Sequence, residues 1–229
     1  MSRPNYFIGI RLNSPGFDAV MASIQSLLVQ KYPSLSKCLV PLEKLHLTCF
    51  VMNLASQEEI QSACSIFDAS RGFIAERMSK LASKSLSFTR VDVFPTKVIF
   101  TSPDDCETMD AMKEITLYLK QTFKEHSLFS DGDNQIDWTP HVTIAKTSAD
   151  RRNGRKLKIQ QGHADYFSIE QPDVLHQLTS EMVPLSVIEL LSMERMATDK
   201  YYLSIHTIDL LDAMEGDSVI KADVSDEGT

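Results

Sequence analysis

Two short motifs of the same form constrain this chain more than any other feature of its sequence. His46-Leu47-Thr48 and His141-Val142-Thr143 each lie in a run of apolar, β-prone residues. Side chains alternate between the two faces of a β-strand, so the His and the Thr of each motif point the same way. The sequence therefore predicts two strands that each present an imidazole and a hydroxyl on one face. If the strands are neighbours, all four side chains can line one cleft.

The composition limits the class of protein to which this chain can belong. With 229 residues, of which 43% are hydrophobic, it fits one large domain or two small ones. The formal net charge of −8 argues against a protein that coats nucleic acid by bulk electrostatics, so a phosphate ligand would need a local cationic patch. A basic run after the second motif can form such a rim, or can be a solvated loop, and comprises Lys146, Arg151, Arg152, Arg155, Lys156 and Lys158.

The cysteines and the hydropathy of the chain predict its compartment. The four cysteines, at positions 38, 49, 64 and 106, show no Cys-x-x-Cys spacing, so they predict neither a zinc site nor a disulfide scaffold. The apolar run near the N-terminus is too short for a signal peptide, and no later segment approaches the length of a membrane span. We therefore expect a soluble protein of the cytoplasm or the nucleus, with no membrane partner.

Apolar periodicity predicts a mixture of strands and helices without regular βαβ alternation. Strands are predicted at residues 6–12, 44–54, 86–94, 98–101, 186–193 and 200–208, with another from Trp138 onward. Helices are predicted at residues 17–28, 60–67, 74–81, 107–125 and 172–182, the second of them behind a capping box at Ser56, and residues 127–136 are predicted to be a loop.

Each half of the chain contains strands, helices and one His-x-Thr motif, and this arrangement favours a diverged internal duplication. The order of elements indicates an α+β fold with antiparallel sheets. We expect one domain over residues 1–212 with two lobes, each carrying one motif. Residues 213–229 are acidic and poor in apolar side chains, which predicts a disordered tail.

Two histidines can supply the acid and the base that cleavage of a phosphodiester needs in the absence of a metal ion. One imidazole takes a proton from the attacking oxygen and the other gives one to the leaving oxygen, and the ordinary pKa of His suits both roles. The hydroxyls of Thr48 and Thr143, with Lys146 nearby, can hold the negative phosphoryl oxygens. The sequence therefore predicts His46 and His141 as an acid–base pair, with the two roles unassigned, and no metal or other cofactor.

Other chemistries lack the motifs that they require. The sequence contains no Gly-x-x-x-x-Gly-Lys-Ser/Thr loop for a nucleotide phosphate, and no His-Glu-x-x-His or His-x-x-x-His pair for zinc. A nucleophilic pair of Cys49 with His46 is disfavoured, because strand alternation places Cys49 on the opposite face.

The two motifs resemble those of the 2H phosphoesterases, a family defined by two His-x-Thr/Ser motifs. The resemblance covers most of residues 4–208, and its flanks are similar to the branch that contains the central domain of A-kinase anchoring protein 18. The matching segments are Asn5-Tyr6-Phe7, Leu45-His46-Leu47-Thr48, Pro140-His141-Val142-Thr143 with Lys146, Ile188-Glu189-Leu190, Ser192-Met193 and Asp199-Lys200-Tyr201-Tyr202.

The resemblance implies a two-lobed, pseudo-symmetric LigT-like fold, in which antiparallel sheets line a central cleft and helices lie outside. It implies metal-independent action on 2′,5′ linkages or 2′,3′-cyclic phosphates. For this branch it implies cleavage of 2′,5′-oligoadenylates to AMP and ATP or related products, together with binding of AMP or CMP. Two other functions remain open: opening of 2′,3′-cyclic ends in RNA processing, and a non-catalytic nucleotide-binding scaffold module.

The resemblance also implies roles for particular residues. His46 and His141 would be the acid–base pair, and Thr48 and Thr143 the phosphate ligands. Lys146, Phe7 and Tyr202 are further candidates for substrate contact, although the two aromatic residues can equally be packing residues.

The chain departs from the branch at two places. Trp138 stands where the branch often has Phe, which affects packing near the second motif. The acidic tail contains no long amphipathic helix, so kinase anchoring is not supported, and we expect a monomer.

Overall fold

A computed structural model of the chain describes residues 3–128, 138–147 and 157–211. The strands are β1 (Tyr6–Arg11), β2 (His46–Met52), β3 (Ser85–Leu86), β4 (Phe88–Phe94), β5 (Val98–Pro103), β6 (Val142–Lys146), β7 (Val183–Pro184), β8 (Val187–Met196) and β9 (Tyr202–Asp209). The α-helices are α1 (Pro15–Lys31), α2 (Gln57–Ala69), α3 (Arg71–Ser79), α4 (Glu107–Glu125), α5 (Gly162–Glu170) and α6 (Pro172–Ser180). Short 3-10 helices cover Pro33–Cys38 and Leu42–Lys44.

Seven of the strands form one antiparallel sheet in the order β4-β5-β6-β2-β1-β8-β9. Strands β3 and β7 form a separate two-stranded antiparallel sheet. The two strands that follow from the motifs, β2 and β6, are neighbours and pair at Leu47 and Val142. The α+β class and the antiparallel pairing predicted from the sequence are therefore confirmed.

One face of the large sheet is covered by helices and carries the core. Side chains such as Ile8, Leu47 and Val142 are fully buried there, and each contributes roughly 1.5–3 kcal/mol through removal of apolar surface from water. The rings of Phe17 in α1 and Phe88 in β4 lie 5.1 Å apart, and those of Phe50 in β2 and Phe123 in α4 lie 5.5 Å apart. The helices thereby leave the opposite face of the two motif strands open.

The same irregularity follows both motifs. Ile8 pairs with Phe50 and Gly9 with Thr48, so Cys49 is an extra residue that forms a β-bulge. In the other half, Ile99 pairs with Ala145 and Phe100 with Thr143, so Ile144 is the extra residue.

The two bulges align the halves residue by residue, which the sequence does not reveal. Both residues after each Thr are buried, and the next residue returns to the open face. By this alignment Val51 is equivalent to Lys146, Gly9 to Phe100, and Phe7 to Val98.

Several predicted boundaries agree with the structure. The helix predicted at residues 107–125 is α4, because its apolar stripe at helical spacing is buried along the whole length. Ser56 precedes α2 and its hydroxyl accepts a hydrogen bond from the backbone N–H of Glu59, as the capping box predicts. The hairpin of β4 and β5 also forms where it was predicted.

One prediction needs correction, and one helix was not predicted. The second motif strand begins at Val142 and not at Trp138, because Pro140 has no backbone N–H to give to a ladder. His141 therefore precedes its strand, whereas His46 is the first residue of β2. The sequence also missed α5, a nine-residue helix whose buried residues Ala164, Tyr166 and Phe167 do not follow a strong periodic stripe.

Some predictions fall outside the described residues. These are most of the loop at 127–136, the basic residues Arg151, Arg152, Arg155 and Lys156, and the acidic tail at 213–229. Within the ranges that the structure describes, no helix has the length and the apolar character that a membrane span requires.

A side chain at Gly9 in β1 would meet its neighbours too closely. A Cβ atom there would lie 2.8 Å from the backbone oxygen of Leu47 and 3.0 Å from the ring of Phe7. We expect Gly9→Ala to lower the free energy of unfolding by about 1–3 kcal/mol, because overpacking forces the neighbours to move. The measurement is urea denaturation.

Gly72 in α3 provides the matched control, since a Cβ atom there meets no atom within 4 Å. We expect Gly72→Ala to leave the free energy of unfolding unchanged or to raise it by up to about 1 kcal/mol, because Ala favours helix more than Gly does. Equal effects of the two substitutions would contradict the close packing at Gly9.

Candidate active site

The pairing of β2 with β6 brings the two motifs together. In an antiparallel ladder that is centred on Leu47 and Val142, His46 lies across from Thr143 and Thr48 lies across from His141. All four of these side chains are partly buried, while the residues between them are fully buried in the core. The predicted convergence of two imidazoles and two hydroxyls on one face is therefore what the strand pairing produces.

Both imidazoles are held by the same local hydrogen bond. His46 Nδ1 lies 2.7 Å from the backbone oxygen of Lys44, and His141 Nδ1 lies 2.9 Å from the backbone oxygen of Thr139. A carbonyl oxygen can only accept, so Nδ1 carries the hydrogen atom in each ring. In a neutral imidazole this leaves the lone pair on Nε2, which is then the nitrogen that can exchange a proton with a ligand.

Aromatic rings enclose His46. Its ring centroid lies 4.9 Å from that of Phe7 and 5.4 Å from that of Tyr202. The ring of Phe7 reaches His46 by lying over Gly9, where the absence of a side chain leaves room. Phe7 is only 1% exposed, so it supports His46 from within the protein, whereas Tyr202 is half-buried at the edge. Direct contact of either ring with a substrate remains a prediction.

His141 has two aromatic neighbours that the sequence analysis did not identify. Its ring centroid lies 5.0 Å from that of Phe94 and 5.5 Å from that of Phe100, and the two Phe rings stack on each other at 4.1 Å. Phe100 occupies the position equivalent to Gly9, so each half places a ring beside its histidine from a different residue. The only signal in the sequence was their place in the predicted hairpin.

Burial lowers the pKa of both histidines. The pKa of His46 falls to about 4, chiefly because its ring is desolvated, and the positive charges of Lys146 and His141 lower it further, against the bond to the Lys44 carbonyl. The influence of His141 on His46 reflects the closeness of the two rings. The pKa of His141 is also lowered by burial, while its bond to Thr139 opposes this shift. An anion bound between the rings would oppose both shifts.

Two further residues considered in the sequence, Lys146 and Cys49, lie in different surroundings. Lys146 is the last residue of β6 and is exposed, close enough to His46 for its charge to act on the ring. Cys49 is 2% exposed on the core face, where burial raises the pKa of its thiol to about 11. This is the orientation that strand alternation predicted, and a neutral buried thiol is a poor nucleophile.

Trp138 connects the segment before β6 to the first motif. Its indole Nε1–H donates a hydrogen bond of 2.8 Å to the backbone oxygen of Thr48. A Phe at this position could fill the space but could not donate this bond. The departure from the family pattern therefore adds a link between the two motifs.

No metal centre is evident in the part of the chain that the structure describes. There, no group of three or more His, Cys, Asp or Glu side chains is arranged to hold a metal ion. Metal independence itself remains a prediction.

The lowered pKa of His46 predicts a pH dependence of stability. In the unfolded chain this residue has its ordinary pKa of 6.5, and in the folded protein the pKa is about 4. Between these values the unfolded state binds more protons, so the free energy of unfolding falls as the pH falls. When the pH is lowered from 7 to 4.5, we expect the free energy of unfolding of the native protein to fall by roughly 2 kcal/mol more than that of the His46→Asn variant. Chemical denaturation across this range measures it, and parallel profiles would refute the burial of His46.

Comparisons of sequence place the chain among known proteins. The family described as the AKAP7 2′5′ RNA ligase-like domain matches residues 4–210. Human A-kinase anchor protein 7 isoform gamma is 25% identical over 157 residues, which are 67% of this chain and 44% of that protein. The matched region thus spans less than half of the length of this relative.

Comparisons of structure show the same fold in solved proteins whose sequences have low identity to this chain. Escherichia coli LigT complexed with 3′-AMP has a TM-score of 0.53 at 11% identity, over 92% of this chain and 99% of LigT. TT0787 of Thermus thermophilus has a TM-score of 0.54 at 14% identity, over 90% of this chain and 97% of its own. The chain is therefore a LigT-like member of the 2H phosphoesterase superfamily and belongs to its AKAP7 2′5′ RNA ligase-like domain family.

Proposed function

We propose that this chain is a metal-independent phosphodiesterase that cleaves 2′,5′-linked oligoadenylates and releases AMP and ATP or related products. The observation that carries the proposal is the matched presentation of two imidazoles, each with Nδ1 bonded to the carbonyl two residues earlier. Such anchoring fixes the tautomer and the orientation of both rings before substrate binds, as general acid–base catalysis requires.

The different surroundings of the histidines suggest their roles. His46, whose pKa is lowered to about 4, is neutral at pH 7 and suited to accept a proton at Nε2 from the attacking oxygen. His141 would give a proton to the leaving ribose oxygen as the bond from phosphorus to that oxygen breaks. Its pKa rises when the phosphodiester anion binds beside it, because an opposite charge favours the protonated ring.

The phosphoryl oxygens need donors while the new bond to phosphorus forms. The hydroxyls of Thr48 and Thr143 are placed on the same face as the two rings, one across from each histidine. The ammonium group of Lys146 adds a positive charge close to His46. Preorganised donors of this kind are worth several kcal/mol in a site from which water is excluded.

The cysteines support a reducing compartment for this activity. Among the described residues, Cys49, Cys64 and Cys106 form no disulfide, and Cys49 is buried. We therefore propose that the protein acts in the cytoplasm or the nucleus.

The decisive experiment is incubation of the protein with 2′,5′-linked and 3′,5′-linked triadenylate in the presence of EDTA, followed by chromatography of the products. We expect cleavage of the 2′,5′ isomer. His46→Ala and His141→Ala should each lower turnover by roughly 10²–10⁴-fold, because each removes one proton transfer. The exposed His176 of α6 gives the control, and His176→Ala should cleave like the native protein.

Other results of this experiment would overturn the proposal. Equal turnover by the double variant of His46 and His141 would show that these residues are not the catalysts. Preference for adenosine 2′,3′-cyclic phosphate as a third substrate would assign the chain to RNA-end processing. Calorimetric binding of AMP without cleavage of any substrate would assign it a binding role.

A further inference from the structure

The two halves of the site differ in charge at equivalent positions. Lys146 stands three residues after Thr143, and its counterpart three residues after Thr48 is the uncharged Val51. Val51 packs with the apolar side chains around Phe7. The histidines and threonines are therefore arranged with near symmetry, but of the two equivalent positions beyond them only that of Lys146 carries a positive charge.

Two more cations lie near Lys146. The Nζ atom of Lys44 lies 5.3 Å from the centre of the Tyr202 ring, and that ring contacts His46 at 5.4 Å. Partial loss of hydration lowers the pKa of Lys146, and the charges of Lys44 and Arg3 lower it further. Arg3, Lys44 and Lys146, the cationic cluster, thus come from three separate segments. Lys44 lies against the Tyr202 ring that contacts His46, and Lys146 acts on His46 directly.

The cationic cluster has no paired carboxylate among the residues that the structure describes. Arg11, which lies on the same face of β1, is by contrast paired with Asp199. Like charges held together without a counterion repel one another, and such an arrangement is stabilised when an anion binds.

The charge of the cluster exceeds what the reacting phosphate requires. A phosphodiester carries one negative charge, and the histidines and threonines already surround the place where it would bind. Three cations match a further phosphate group, which carries about −1.5 to −2 charges when it is a terminal monoester. Arginine and lysine are the side chains that bind such groups by charge-assisted hydrogen bonds.

We propose that Arg3 and Lys44, with Lys146 shared between them and the reacting phosphate, form a second phosphate subsite, which binds a terminal phosphate of the substrate on the side of His46 and Tyr202. The inference rests on the proposed function, because the linkage between the histidines determines where the second phosphate lies. The preferred substrates are then oligonucleotides that carry a terminal phosphate next to the cleaved linkage. Binding of this phosphate also sets the direction in which the substrate enters a nearly symmetric cleft.

Binding measurements test this subsite independently of cleavage. The ligands are adenosine 2′-monophosphate, adenosine 5′-monophosphate and adenosine 2′,5′-bisphosphate, titrated by calorimetry. We expect the bisphosphate to bind the native protein about 10-fold more tightly than either monophosphate, since one added charge-assisted contact contributes this much. The advantage should shrink at high salt, because exposed charges are screened.

Substitutions show which residues cause the tighter binding of the bisphosphate. The double variant Arg3→Ala, Lys44→Ala should bind the bisphosphate no more than about 2-fold better than the monophosphates. Lys113 on α4 is the charge-matched control, because it pairs with Asp105 and Asp110 at the surface. Lys113→Ala should keep the full advantage.

The outcomes separate the two proposals. The subsite proposal is wrong if the native protein binds the bisphosphate no more tightly than the monophosphates. It is also wrong if the double variant keeps the tighter binding of the bisphosphate. Both conclusions hold even if triadenylate is cleaved. An advantage that the double variant loses supports the subsite even if no triadenylate is cleaved, in which case the proposed catalytic function alone fails.

Discussion

The antiparallel contact of β2 with β6 at Leu47 and Val142 holds the site together. Neighbouring strands lie about 4.8 Å apart, so this contact sets the separation of side chains that are 95 positions apart in the chain. Its register decides that each histidine faces the threonine of the other motif. The bulges at Cys49 and Ile144 then redirect both strands immediately beyond the threonines. The open face owes its shape to this one junction and the two bulges that border it.

The protein combines similar backbone geometry with different chemical surroundings. Each histidine is anchored by the carbonyl two residues before it and is packed against two aromatic rings, but the rings come from non-equivalent positions. Their packing desolvates the imidazoles, and desolvation favours the neutral forms. Because an anion favours the protonated forms, binding of the proposed phosphate substrate would be coupled to uptake of protons in this site. The cationic cluster places positive charge at one end of the site, which makes the two ends different in a way that the two motifs alone do not.

Local patterns in the sequence were sufficient where the structure depends on near neighbours. Alternation in β2 correctly separated His46 and Thr48 from Cys49, and the helical stripe of α4 gave both of its ends. Patterns failed where an element has a weak periodic signal of its own, or where its backbone is excluded from a ladder and its side chain bonds to a distant residue. The short helix α5 has no strong stripe of its own, and the second motif strand starts late because Pro140 cannot join a ladder and Trp138 bonds to Thr48 instead.

The sequence by itself determined which side chains of the two motifs point the same way, because the period of two in a strand gives each His and Thr a common face wherever the strand lies. The tertiary structure alone decided that the two strands are neighbours, that Phe94 and Phe100 enclose His141, and that Arg3 and Lys44 join Lys146. These contacts link residues far apart in the chain, and no local periodicity records them. They depend on how the helices and the hairpin pack around one buried sheet.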